Sequence, residues 1–198
     1  MVSSSATDTY SAIAAAVGSL KGPRHGGANL RVCKQFEEMK ANISDWEDQD
    51  EVLDYLCKIM RGEAGDGSGL IYGMGHAVYT LSDPRAVALK NTARPLAAVK
   101  GFEREFNLIE LTERLAPEAF YRVRGERKIM CANVDMYSGL VYQMLGIPEE
   151  MFTPLFACAR IVGWMAHRIE ETVTGGKIIR PAYKPIIQRN SYLPIDQR

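Results

Sequence analysis

Glu149-Glu150-Met151-Phe152-Thr153-Pro154-Leu155-Phe156-Ala157-Cys158-Ala159-Arg160-Ile161-Val162-Gly163-Trp164-Met165-Ala166-His167-Arg168-Ile169-Glu170-Glu171-Thr172 is the longest helical pattern in this sequence. Phe152, Phe156, Ile161, Trp164 and Met165 spread apolar surface over nearly all its sides, which predicts a central buried helix. Gly175-Gly176 ends it. Ile178-Ile179-Arg180-Pro181 then reads as extended, ahead of a polar, proline-bearing tail.

Upstream, the chain is a succession of shorter helical patterns. Thr7-Asp8 can cap an Ala-rich helix from Tyr10 to Leu20, which stops at Gly22-Pro23 and whose small residues suit close approach to another helix. Val32, Cys33, Phe36 and Met39 make a core-facing stripe, and residues 51–60 make a third helix ended by Gly62. Residues 62–75 hold six glycines, which predicts a loop where backbone approaches something closely. Asp83-Pro84 reads as N-cap and first helical residue, and Arg94-Pro95 is expected to kink or break the helix that follows. A helix through Phe102, Phe106, Ile109 and Leu115 should end near Pro117. Another runs from Met136 to Leu145, with Asn133 as its cap and Gly146 as its stop. No βαβ alternation or internal repeat occurs, so the fold class is mainly α and multi-helical.

Composition narrows the function classes. The 198 residues carry 24 Lys+Arg against 24 Asp+Glu, so no basic excess points to nucleic acid or an anionic membrane. No apolar run reaches the ~20 residues of a bilayer span, and the N-terminus lacks the basic flank and apolar block of a signal peptide. Cys33, Cys57, Cys131 and Cys158 are scattered without a CxxC pair, which reads as free thiols in a reducing, cytoplasmic setting rather than a zinc site. The glycine loop has neither a GKS/GKT ending nor GxGxxG after a strand, excluding Walker A and Rossmann readings. Arg122 to Lys128 is a local basic cluster without the interleaved aromatics of an RNA-binding surface.

Of three histidines, His25 and His76 sit in glycine turns, and His167 reads as structural. Taken singly, a histidine after glycines is more often a turn residue, and Asp135 is more often a first-turn helix charge. Together with Arg85, Arg160 and Arg180 they are the parts of an acid–base site for an anionic substrate. A carboxylate can take a proton, imidazoles can hydrogen-bond oxygens that gain charge, and guanidiniums can clamp carboxylates. The helix dipole is expected to keep Asp135 ionised.

Four ordered blocks resemble the citrate synthase family: Gly22-Pro23-Arg24-His25-Gly26-Gly27-Ala28-Asn29, the stretch from Gly73 to Arg85, Asn133-Val134-Asp135-Met136-Tyr137-Ser138-Gly139, and Phe156 to Trp164. The resemblance runs from near Tyr10 to about Pro181. It implies that Asp135 takes a proton from the methyl group of acetyl-CoA, His25 stabilises the enolate oxygen, and His76 polarises the oxaloacetate carbonyl. Arg85 and Arg160 would hold substrate carboxylates, and Arg180 would be supplied across a homodimer interface. Leu70, Ile71, Tyr72, Gly73, Met74 and Gly75 would recognise CoA through their backbone, with Lys128 or a neighbouring arginine reaching a CoA phosphate. No metal and no cofactor beyond the acetyl-CoA substrate are implied. Met74 departs mildly from the family pattern, in a position used mainly through its backbone.

Family members are roughly twice as long. The resemblance therefore implies a C-terminal portion: residues 1–30 and 141–198 as large-domain segments, residues 31–140 as the small domain, and no activity by this portion alone. 2-Methylcitrate synthase, with propionyl-CoA as donor, matches the same blocks. A non-catalytic helical module that oligomerises is the alternative from another function class.

Overall fold

Asp48 and Gly62 set the ends of the helix on which the core is built. The Asp48 carboxylate accepts the Asp50 and Glu51 N–H groups, and Gly62 closes the helix in the left-handed conformation at φ 76°. Gly62 N–H bonds the Ile59 carbonyl and Glu63 N–H the Lys58 carbonyl, so the last turn's carbonyls are satisfied. The computed structural model describes residues 1–22, 25–182, 184, 186 and 191–197. Pro23 and Arg24, in the His25 turn, and residues 183, 185, 187–190 and 198, in the tail, lie outside the described residues.

Among the described residues seven α-helices run in order: α1 (Thr9–Leu20), α2 (Ala28–Asn42), α3 (Gln49–Arg61), α4 (Pro84–Lys100), α5 (Glu103–Arg124), α6 (Asp135–Met144) and α7 (Phe152–Thr174). Among the described residues no strand forms; the one strand-like pairing is an isolated antiparallel bridge between Met74 and Ala132. The fold is all-α, as the sequence patterns predict. No helix among the described residues is long and apolar enough to cross a membrane.

The chain divides into two compact units, Met1–Ala16 with Val162–Arg198, and Val17–Ile161. In the first, Arg168 stitches the segments together by donating to the Thr7 carbonyl at 2.7 Å, and Ile179 N–H donates to Ser4 Oγ at 2.9 Å. In the second, α5 packs along α3, and α6 packs against both α2 and α4. Val52, Leu56, Phe106, Leu108, Met136 and Tyr137 are at most 2% exposed. Each such side chain contributes roughly 1.5–3 kcal/mol through burial.

Three helix expectations fail, each for a tertiary reason. Pro95 neither breaks nor ends α4, and Pro117 lies inside α5. Each proline deletes one backbone hydrogen bond, yet its neighbours hold the helix in place. Ala93, Ala97, Ala116 and Ala119 are fully buried, and Lys90 and Arg94 of α4 pair with Glu110 and Glu113 of α5 at 2.5–3.2 Å. The helix α7 is not a buried centre either. Only Phe152 is buried, while Val162, Ile169 and Val173 are 60–79% exposed.

The α2–α6 contact depends on one glycine. A Cβ at Gly139 would collide with Cys33 Sγ and sit 3.2 Å from Asn29 Oδ1. Alanine would gain ~0.5–1 kcal/mol in helix propensity but overpack the contact by ~1–3 kcal/mol, so the loss wins. Gly139→Ala is therefore expected to lower the urea midpoint. In a Cys33→Ala background the same substitution should become neutral or stabilising.

Candidate active site

The site is assembled where the glycine loop meets the start of α6. Asn133 N–H donates to the Gly73 carbonyl at 2.9 Å, Gly75 N–H to the Cys131 carbonyl at 2.8 Å, and Asn133 Nδ2 to the Gly75 carbonyl at 3.0 Å. Asn133 Oδ1 also accepts the Asp135 N–H at 3.0 Å, from one residue ahead of the cap position, which Val134 occupies without a side-chain bond. The approach is tight enough to require glycine at 73, where φ is 86° and a Cβ would lie 2.9 Å from Met136 Sδ. One segment thereby brings His76 and Asp135 to the same cavity.

His76 Nδ1 accepts the N–H groups of Val78 and Tyr79 at 3.0 and 3.1 Å. The ring proton therefore sits on Nε2, which faces Arg85 Nη2 at 3.1 Å. Guanidinium nitrogens only donate, so His76 and Arg85 together offer hydrogen-bond donors to the cavity that both line. Arg85 is itself held by Asp83, with Nε–Oδ1 at 3.0 Å and Nη2–Oδ2 at 2.8 Å. Asp83 also caps α4 through the Arg85 N–H and is 1% exposed. The Arg85 hydrogen bond holds its carboxyl below the usual carboxylate range.

A cavity of about 270 Å³ is lined by His25, His76, Arg85, Asp135 and Arg160. His25 meets the Phe156 ring edge-on at 5.9 Å, and the Arg160 guanidinium lies 5.2 Å from the same ring. Thr153 Oγ1 bonds the Gly26 carbonyl at 2.6 Å, tying the His25 turn to α7. Asp135 carries a carboxyl whose surroundings act against ionisation as well as for it. Burial pushes its pKa up, and the charges of His25 and Arg85 offset this only in part. Arg180 is an exposed residue of the unit formed by Met1–Ala16 and Val162–Arg198.

A second cavity, about 280 Å³, lies across His76, which lines both. Leu70, Ile71, Met74, Gly75 and Lys128 line it, joined by Arg124. Tyr72 and Gly73 support this wall without lining it. Apolar walls with two cations suit a ligand that carries both an apolar chain and phosphates. Sequence reading missed Asp83 as the holder of Arg85 and Asn133 as the clamp on the loop, seeing helix caps alone. The two-residue spacing of Asp83 and Arg85 across a proline is the signal that could have exposed the pair. His167 is exposed, 3.7 Å from Glu170. Among the described residues no cluster of His, Cys, Asp and Glu could hold a metal.

Comparison with known proteins gives one consistent answer. The family described as "Citrate synthase, C-terminal domain" matches residues 1–182. A citrate synthase of Synechocystis is 38% identical over 199 residues, covering 100% of this chain and 46% of its own length. A 2-methylcitrate synthase of Shewanella oneidensis is 35% identical over 196 residues, 98% of this chain and 47% of the relative. Among solved structures, a ternary complex of carboxymethyl coenzyme A and oxaloacetate with citrate synthase from Thermoplasma acidophilum superposes with TM-score 0.73 at 33% identity. It covers 98% of this chain and 48% of that one. The chain spans about half the length of the curated relatives it matches.

The Asp83–Arg85 pair makes a pH-dependent contribution. Because the folded pKa of Asp83 is depressed, its stabilisation is complete above the ordinary value of 3.8 and is lost as pH falls below that through the folded value. Asp83→Asn should cost on the order of 1–2 kcal/mol at pH 7, the half-exposed Arg85 limiting the loss. The variant should also lose less further stability on acidification than the parent. Urea titrations from pH 7 to pH 3 measure both effects.

Proposed function

Because this chain belongs to the citrate synthase family, we propose that it carries a condensation site at which acetyl-CoA adds to oxaloacetate to give citrate and CoA. The observation that carries the reading is the shared wall: His76 lines both the cavity that holds Asp135, His25 and two arginines and the cavity suited to a CoA tail. Two substrates bound on either side would meet at that imidazole.

A methyl group beside a thioester is a weak carbon acid, so its removal needs a carboxylate of raised basicity and a donor for the enolate oxygen. Asp135, its pKa raised by burial, is the proposed base, and His25 the donor. His76 Nε2–H polarises the ketone of oxaloacetate as the new C–C bond forms, while Arg85 and Arg160 hold its carboxylates. Water then cleaves the thioester and releases CoA. Leu70 to Gly75 offer backbone to CoA, with Lys128 beside a phosphate. Acetyl-CoA is substrate throughout, and no resident cofactor is needed.

The name of the Shewanella relative supports a second reading, in which propionyl-CoA is the donor and 2-methylcitrate the product. Cytoplasmic residence is supported by three buried free thiols, with burial pushing Cys33 up to about 12. Homodimerisation is supported by the exposed apolar side chains of α7, with Arg180 reaching the site of a second copy. On this reading residues 1–30 and 141–198 belong to a large domain and residues 31–140 to a small one.

Calorimetry tests the site directly. Oxaloacetate should bind the parent chain, and Arg85→Ala should weaken it at least ~10-fold, the loss of a bidentate charge-assisted contact. Where condensation is measured as thiol release, Asp135→Asn should cut the rate by ~10²–10⁴ with oxaloacetate affinity retained. Parallel rates with acetyl- and propionyl-CoA choose the donor. A parent that binds neither oxaloacetate nor carboxymethyl-CoA overturns the reading. Sedimentation equilibrium should show a dimer that Ile169→Glu dissociates; a monomeric parent removes the dimer.

A further inference from the structure

Gln35 is a polar side chain that is 5% exposed and lies outside the machinery described above. It projects from α2, ten residues after His25. Its Oε1 accepts the Tyr72 N–H at 2.8 Å, and its Nε2 donates to the Tyr72 carbonyl at 3.3 Å. A carboxamide that pairs with both polar groups of one residue does what a neighbouring β-strand would do, in a loop that has none.

That loop needs such help. Gly62, Gly65, Gly67, Gly69, Gly73 and Gly75 all have φ between 68° and 88°, so little in the local sequence restricts this path. Residues 73–75 are gripped from one side by Cys131 and Asn133. Gln35 grips Tyr72 from α2. The Tyr72 hydroxyl also donates to Asp66 Oδ2 at 2.6 Å, closing the glycine-rich segment back on itself. Tyr72 does not line the 280 Å³ cavity, whereas its neighbours Ile71 and Met74 do.

We infer that Gln35 is a positioning residue for the acyl-CoA site. Through the Tyr72 backbone it holds residues 70–75 in the conformation that receives the ligand, and it touches no substrate. The inference rests on the condensation reading above. It ties α2 to the wall facing CoA and leaves the oxaloacetate side of the site to other residues.

The test combines hydrogen exchange and calorimetry on the whole chain. In the ligand-free parent, the Tyr72 amide should exchange at least ~10-fold more slowly than the amides of Gly67 and Gly69. Gln35→Met keeps the side-chain volume and deletes both hydrogen bonds. It should remove that protection and weaken carboxymethyl-CoA roughly 10-fold, while oxaloacetate affinity stays within about 2-fold. Equal loss for both ligands would mark a merely structural residue and overturn the inference, as would unchanged carboxymethyl-CoA binding. An unprotected Tyr72 amide in the parent overturns it without any variant, which covers a Gln35→Met chain that fails to fold. A parent that binds oxaloacetate but no carboxymethyl-CoA overturns this assignment alone, and one that binds neither ligand removes the condensation reading and this assignment with it.

Discussion

Asn133 carries the constraint on which the rest of the site depends. Its backbone N–H and its side chain together hold Gly73, Gly75 and the first residue of α6. Each hydrogen bond is worth only about 1 kcal/mol net. Their value lies in geometry, because the same residue fixes the carbonyls ahead of His76 and the N–H of Asp135. A glycine loop costs more entropy to order than any other segment. It becomes a usable wall only where such partners recover that cost.

The electrostatics follow from the same placement. Bringing Asp135 into a partly buried cavity raises its pKa, and positive neighbours limit how far. Arg85 is kept from collapsing onto Asp135 because Asp83 already engages it twice. One carboxylate is thus spent on orienting a cation, and the other stays available for chemistry. His76 is oriented by two backbone N–H groups, which aim Nε2 at the cavity it shares with Arg85. These are preorganised dipoles, the arrangement that stabilises developing charge at least cost in reorganisation.

The helices show where local rules yield to packing. Pro95 and Pro117 satisfy every sequence criterion for a break, yet α4 and α5 run through them. A proline costs ~3 kcal/mol in a helix interior. Four buried alanines and an ion-pair network between the two helices outweigh it, and none of those contacts is visible in a local window. The long apolar pattern of α7 misleads in the opposite direction. An all-round apolar helix can be buried in a core or held in reserve for another surface, and periodicity does not distinguish the two.

By itself the sequence determined the helical class, the capped helix start at Asp83, the left-handed stop at Gly62, and the family through its four ordered blocks. These are local properties: side-chain oxygens within reach of N–H groups two or three residues on, and glycines where φ must be positive. Only the tertiary structure decided that Asn133 and Gln35 grip the glycine loop and that His76 stands between two cavities. Those depend on contacts across tens of residues, such as Gln35 with Tyr72 and Gly73 with Asn133. Their strength comes from burial and exact distance, neither of which a linear pattern encodes.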